Sequence, residues 1–293
     1  MTKSNEQYGP GRSSSLWRDA WRRMLRNRSA VVGMVVLAAL ILVAIFAPQV
    51  APHDPNDYDY RNALQPPNTP GHILGTDELG RDVLSRLIYG SRVSMRMGLI
   101  VVGIAASIGV TLGAISGYYG GVIDQIIMRV VDLLLAFPFM VLAIAVASIL
   151  GPSLTNTMIV LGGVSWIGYA RLVRGLVLSL REEEYVVAAR VVGARDWRII
   201  WRHILPNCMG VIIVQATFGV ASAILAASAL SYLGMGAQPP TAEWGAMLSA
   251  AKREMRHHPM MAIAPGMAIM ITVLAINFVG DALRDALDPR LRA

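Results

Sequence analysis

Long apolar runs without a charged residue alternate with shorter polar segments along this chain. Five such runs occur, at residues 29–52, 97–123, 133–170, 204–242 and 259–280. A helix that crosses a bilayer needs about 20 apolar residues. The third run is too long for one helix, and its GPSLTN sequence at 151–156 contains the Gly and Pro that interrupt helices. The pattern therefore predicts six membrane-spanning helices.

The six predicted spans define an all-α, polytopic membrane protein. They occupy residues 29–51, 94–118, 122–149, 154–179, 209–233 and 260–283. The first run is longer than the roughly 7–15 apolar residues of a cleaved signal peptide, so we expect it to remain as a span. The sequence thus predicts one transmembrane domain, residues 29–283, between tails at 1–28 and 284–293.

Polar segments connect and flank the spans. The three large connections are predicted at residues 52–93, 180–208 and 234–259. In the N-terminal tail, Trp17, Trp21 and Leu25 fall on one face of a predicted amphipathic helix, which is typical of a helix lying at the membrane surface.

The charges show which connections face the cytoplasm. Only 15% of the 293 residues are charged, against roughly a quarter in soluble domains. Most of the 26 Lys and Arg residues lie in the two tails and in residues 171–206. Cytoplasmic segments of membrane proteins carry this excess, so both termini and 180–208 are predicted to be cytoplasmic, and 52–93 and 234–259 external. The net charge of +7 indicates contact with anionic lipid headgroups rather than nucleic acid.

Sequence signatures of enzymes are missing. The only lysines, Lys3 and Lys252, lie outside any glycine-rich phosphate loop, so the chain is not predicted to bind or hydrolyse ATP. Its histidines form no metal-binding spacing, and the adjacent His257 and His258 are interpreted as a solvated loop edge. Cys208 is the only cysteine. We therefore expect no catalytic site, no resident metal and no cofactor on this chain.

Three charged residues open the third predicted span. Arg129 and Asp132 are three residues apart and are predicted to form a structural ion pair. The alternative is that Asp124 or Asp132 couples transport to an ion, as in a secondary transporter, because a carboxylate within a membrane is usually functional.

The cytoplasmic segment 182–207 reads EEEYVVAARVVGARDWRIIWRHILPN and is too polar to cross a membrane. Gly193 is placed where a glycine ends a first helix, and Asp196 is predicted to cap a second. The pattern thus predicts a helix–turn–helix across the ends of spans four and five. The residues alone leave two roles open, a surface for another protein and a helix pair resting on lipid.

The sequence A-A-R-V-V-G followed by H-I-L-P-N resembles the cytoplasmic coupling motif of ABC importer permeases, which inserts into a cleft on an ATPase subunit. The resemblance assigns ATPase coupling to Glu184, Ala188, Ala189, Gly193, Ala194, Leu205 and Pro206. Val187 replaces the Glu of the general motif, and His203 replaces an Ile.

Four further blocks, at 72–95, 127–138, 233–248 and 280–292, resemble the C-type permease subunit of the peptide/nickel importers; Ala282 stands where many relatives have Gly. The resemblance implies a type I importer permease fold in the bacterial inner membrane. It also implies a homologous permease partner, two ATPase domains that bind ATP and Mg²⁺, and an extracytoplasmic solute-binding protein. Di- or oligopeptides are the expected substrates, with nickel, glutathione or another small solute as alternatives.

The block at 75–92 precedes the second span. Gly75, Thr76 and Asp77 are predicted to cap a helix on the outer membrane surface. There Asp77, Arg81 and Asp82 would meet the binding protein or the permease partner, or the helix would simply cap the mouth of the pathway.

Overall fold

The computed structural model describes residues 16–287, with side chains from residue 21 onward, and this part of the chain is helical. The helices are α1 (Leu16–Arg26), α2 (Arg28–Ile45), α3 (Ala47–Val50), α4 (Val83–Tyr119), α5 (Gly121–Leu135), α6 (Phe139–Leu150), α7 (Leu154–Leu180), α8 (Glu184–Val191), α9 (Asp196–Arg198), α10 (Leu205–Tyr232), α11 (Trp244–Ala250) and α12 (Met260–Leu287). A 3₁₀ turn (Tyr60–Asn62) precedes α4, and a π-helical segment (Ile199–Ile204) joins α9 to α10. Within residues 16–287 no β-strand forms beyond isolated bridges.

Four helical stretches in the described range are long and apolar enough to cross a membrane: α2, α4, Asp196–Tyr232 and α12. The pair α5 and α6 is a fifth candidate and is bent by 91°. The fourth predicted span, 154–179, coincides with α7, whose 27 residues include Arg171 and Arg174 and which is not among these candidates. The all-helical fold is confirmed, while the count of six spans and the side on which the termini lie stay predictions.

The bend between α5 and α6 corrects the prediction of one continuous span at 122–149. Pro138 is the cause, since the residue before a proline is driven out of the helical region and proline has no amide hydrogen for the helix. The helix therefore ends at Leu135 and restarts at Phe139. The predicted break at 151–156 is confirmed, because α6 ends at Leu150 and the Ser153 hydroxyl accepts a hydrogen bond from the Asn156 amide at the start of α7.

The helices α4 and α7 form the centre of the fold. They approach most closely along a stripe of glycines on α4, at Gly109, Gly113 and Gly117. A Cβ atom added at Gly113 would collide with the main-chain oxygen of Ala170 on α7. Small residues let membrane helices pack backbone against backbone in this way. The buried side chains beside the stripe include Val101, Leu161 and Tyr169.

A second group of helices packs around α12, which contacts α2, α10 and α1. The predicted N-terminal helix is confirmed as α1, where Met24 is buried against Ala282 and Ala286 while Trp21 and Leu25 are exposed. The exposed pair is consistent with a helix at a membrane surface. The side chain of Trp17 and the C-terminal residues 288–293 lie outside the described part of the structure.

The outer-surface helix was predicted to begin at residue 78, and this start is wrong because the helix begins at Val83. Asp77 does not cap a helix but holds a turn, with its Oδ1 accepting from the amides of Leu79 and Arg81. Asp82 is the cap instead, and its Oδ2 accepts from the Ser85 amide at 2.7 Å. From Val83 the helix runs without a break into the second span, so α4 has 37 residues and is about 55 Å long.

Candidate functional site

The turn that follows α8 forms the tip of the segment 180–208, which is predicted to be cytoplasmic. Gly193 has a φ of +84°, a backbone conformation that residues other than glycine rarely adopt because of their Cβ atom. Its amide donates to the Arg190 carbonyl, and the Ala194 amide donates to the Ala189 carbonyl, both at 3.0 Å. These two bonds satisfy the last carbonyls of α8. The prediction that Gly193 ends the first helix of the pair, α8, is confirmed.

The second helix of the predicted pair is not a separate element. Residues 196–232 form one helical stretch, in which Asp196–Arg198, the π-helical segment and α10 follow one another directly. Pro206 lies within this stretch, as the second residue of α10 and directly after the π-helical segment. Asp196 is the first residue of α9 rather than its cap, and its Oδ1 accepts from the Tyr118 hydroxyl at 2.8 Å.

A buried apolar base fixes this segment to the ends of α4 and α7. Val186, Ile199 and Ile204 are fully buried. They belong to one cluster with Tyr118 of α4 and Val177 of α7. Arg190 also lies over the Tyr118 ring at 5.6 Å, and Arg181 donates to the Gly117 carbonyl at 3.1 Å. These contacts connect the base of the tip to the adjacent ends of α4 and α7.

The predicted coupling residues divide between tip and base. Glu184, Ala188, Gly193 and Pro206 are exposed, Ala189 and Ala194 are half-buried, and Leu205 is buried. Two residues that sequence reasoning did not assign complete the tip, namely Val191 and Val192, with 81% and 88% of their surface exposed. The available sequence signal was a pair of β-branched residues directly before the glycine of the turn. Together Val191, Val192 and Gly193 define an apolar tip.

The ion pair near the start of the bent span differs from the predicted one. Arg174 of α7 binds Asp124 of α5 with two hydrogen bonds of 2.6 Å. The Ser116 hydroxyl also donates to Asp124. No ion pair joins Arg129 and Asp132 in the described structure, and both side chains are exposed. Asp124 is thus a structural link between helices, which weighs against its use as an ion-coupling carboxylate.

Replacing Asp124 by Asn is expected to lower the free energy of unfolding by about 1 to 2 kcal/mol. A hydrogen bond to a charged group contributes about 1.5–3 kcal/mol, reduced here because Arg174 is 33% exposed. Thermal unfolding of the purified chain in detergent measures the change. Asp132→Asn on the same helix is the matched control and should leave the midpoint unchanged; equal effects of the two substitutions would contradict the assignment.

Asp77, Arg81 and Asp82 are buried, which corrects their prediction as partner contacts. The Arg81 Nε donates to Asp77 Oδ2 at 2.8 Å, and Asp82 caps α4. The two carboxylates therefore hold the segment before α4 in place, while a role of this segment in closing the mouth of the pathway stays a prediction. Arg81 also lines a cavity of about 550 Å³ together with Arg86, Lys252 and Arg253.

A smaller cavity of about 190 Å³ lies between α4, α6, α7 and α10. Most of its lining is apolar, and Ser165, Tyr169, Gln215 and Ser222 supply polar groups. Its lining contains no Asp, Glu or His. The side chains that usually bind metal cations are therefore absent from the walls of this cavity.

Comparisons with known proteins agree with the geometry. Residues 109–293 match the family described as the binding-protein-dependent transport system inner membrane component, and residues 15–67 match the N-terminal transmembrane domain of oligopeptide transport permease C. The fold is similar to that of the methionine ABC transporter MetNI in inward-facing conformations, with a TM-score of 0.53 and 17% identity, over 69% of this chain and 96% of the MetNI chain.

Individual relatives are similar over nearly their whole length. The dipeptide transport system permease protein DppC of Alkalihalophilus pseudofirmus is 46% identical over 279 residues, covering 95% of this chain and 91% of the relative. The glutathione transport system permease protein GsiD of Pectobacterium atrosepticum is 45% identical, covering 94% and 92%. DppC of Haemophilus influenzae is 44% identical, covering 93% and 94%.

Proposed function

Because the chain belongs to the family of binding-protein-dependent transport system inner membrane components, we propose that it is the C-type permease subunit of an ATP-driven dipeptide importer. It is a multi-pass protein of the bacterial inner membrane. In the proposed complex it pairs with a homologous permease, and the two chains enclose the pathway between them. Two ATPase domains bind ATP and Mg²⁺ on the cytoplasmic side, and a solute-binding protein delivers the peptide from outside.

The apolar tip carries this proposal. Val191 and Val192 project from a rigid turn, although exposed apolar side chains normally avoid water. Insertion into a cleft of an ATPase domain removes them from water and accounts for their exposure. The arginines around the tip are placed to meet acidic groups at the rim of that cleft.

The base beneath the tip would transmit ATPase movement to the pathway. Closure of the ATPase pair moves the tip, and the Tyr118–Asp196 hydrogen bond passes this movement to α4. The continuous helix 196–232 passes it to α10. Both helices line the cavity of about 190 Å³, so its walls shift when the tip shifts. The tip thus links the ATPase contact to the cavity through α4 and α10, whose positions both sites influence.

Peptides are the substrate class that the cavity favours. Ser165 and Gln215 offer hydrogen bonds to amide groups, while the apolar walls accept varied side chains. Glutathione is the second candidate, because relatives of nearly equal identity include a glutathione transport system permease and glutathione is itself a tripeptide. Nickel is disfavoured by the lack of metal-binding side chains in the cavity lining.

Reconstitution of the full complex in liposomes tests the proposal. Vesicles containing this chain, its permease partner and the ATPase subunits, supplied with the binding protein outside and ATP inside, should accumulate a radiolabelled dipeptide. A non-hydrolysable ATP analogue is the control and should give none. Labelled glutathione in parallel vesicles decides between the two substrates. Uptake by this chain alone along an ion gradient would contradict the proposal and indicate a secondary transporter.

A further inference from the structure

Two histidines and an aspartate meet in the segment between α3 and α4. One ligating atom from each of His53, His72 and Asp82 lies within 4.8 Å of the other two. No short sequence motif announces this cluster, because the folding of the segment brings distant residues together. Within the described residues it is the one group of three or more such side chains with this spacing.

Hydrogen bonds hold each member of the cluster in place. His72 Nδ1 lies 2.9 Å from Asp82 Oδ1, and Asp82 Oδ2 accepts from the Ser85 amide. His53 Nε2 lies 2.8 Å from the Gly71 carbonyl oxygen, and the His53 amide donates to the Ser85 hydroxyl at 3.0 Å. The two imidazole rings are 4.8 Å apart, centroid to centroid. The three side chains are therefore held close together before any ion arrives.

We propose that His53, His72 and Asp82 form a binding site for one divalent transition-metal ion of the zinc class. Two imidazoles and a carboxylate are a common ligand set for such ions. The side chain of Asp82 is fully buried, so its negative charge favours a cation beside it. This site is separate from the apolar tip and from the cavity in the helix bundle.

The geometry needs only a small adjustment. Zinc bonds of about 2.0–2.2 Å in a tetrahedral site place neighbouring ligands roughly 3.4 Å apart. The 2.9 Å between His72 Nδ1 and Asp82 Oδ1 is already near that value. The ion takes the place of the proton between His72 Nδ1 and Asp82 Oδ1, and the imidazole then carries its proton on Nε2. His53 is exposed, so its ring turns towards the pair at the cost of its bond to the Gly71 carbonyl. Water fills the fourth position.

Zinc titration of the purified full chain, with any affinity tag removed, tests the site. We expect one equivalent to bind saturably with micromolar affinity, measured by competition with a chelating dye. His53→Ala should weaken that affinity at least about tenfold, as loss of a ligand does. Zinc should also raise the midpoint of thermal unfolding of the unsubstituted chain, and not that of His53→Ala.

His53 is chosen over Asp82 because an exposed side chain is removed without losing the cap of α4. His257→Ala with His258→Ala is the matched control, since it removes two histidines of another loop and should leave zinc binding intact. The proposal fails if the unsubstituted chain binds no zinc, or if the control loses binding and His53→Ala keeps it. Neither readout requires the transport partners, so this result is independent of the proposed importer function.

Discussion

Replacing Gly113 by leucine is expected to abolish accumulation of the folded protein. The added side chain would start at a Cβ position that collides with the Ala170 carbonyl oxygen on α7. Overpacking costs about 1–3 kcal/mol where neighbouring side chains adjust. Here the obstacle is main chain, so the helices α4 and α7 must separate along the centre of the fold. The cost therefore exceeds that range and is comparable with the lower part of the net stability of about 5–15 kcal/mol of a typical protein.

The matched control for this substitution is Gly103→Leu on the same helix. Nothing lies within 4 Å of a Cβ atom added at Gly103, and the residue is exposed in the single chain. Fluorescence-detected size exclusion of both variants in detergent measures the folded fraction. Gly103→Leu should give a peak like that of the unsubstituted chain, and Gly113→Leu should give almost none. A normal peak for Gly113→Leu would show that α4 and α7 do not pack as described.

Replacing Val192 by aspartate is expected to eliminate ATP-driven uptake while leaving the fold unchanged. Val192 is 88% exposed in the chain alone, so the substitution should change the free energy of unfolding by no more than about 0.5 kcal/mol. In the proposed complex the same side chain is enclosed by an ATPase domain. An unpaired charge enclosed at an interface costs about 3–5 kcal/mol, which corresponds to more than a hundredfold loss of affinity.

Co-purification with the ATPase subunits and uptake in liposomes measure the effect of Val192→Asp, and thermal unfolding checks the fold. Ile73→Asp makes the same kind of change at an exposed position before α4 and should not affect ATPase binding. Retention of the ATPase subunits by Val192→Asp would remove the tip from the proposed interface. Loss of folded protein, in contrast, would mean that Val192 is buried in the permease itself.

Sequence reasoning predicted the helices best where a local signal marks their ends. The breaks at 151–156 and at Gly193 follow from glycine, proline and serine chemistry within a few residues, and both are confirmed. The start of α4 at Val83 was missed because Asp77 and Asp82 are equally good caps by residue type. Only the turn made by Asp77 and Arg81 decides between them.

Contacts between residues far apart in the sequence could not be predicted from residue spacing. Arg129 and Asp132 are close in sequence and were paired on that basis, yet the observed pair joins Asp124 to Arg174, 50 residues away. The same limit applies to His53 and His72, which no motif connects. The apolar tip was only partly predicted, because Val191 and Val192 have the composition of buried helix residues and their exposure depends on how α8 is docked.

The length of the helical stretch from Asp196 to Tyr232 determines how far its two ends move when it tilts. Its 37 residues span about 55 Å. A tilt of about 10° around its midpoint would displace each end by roughly 5 Å in opposite directions, about the pitch of one helical turn. A modest rotation beside the apolar tip thus becomes a displacement of similar size at the far end, where the Lys252 ammonium donates to the Tyr232 carbonyl. The π-helical segment and Pro206 lie at the tip end of this stretch, so the displacement at the far end requires residues 207–232 to move together with them.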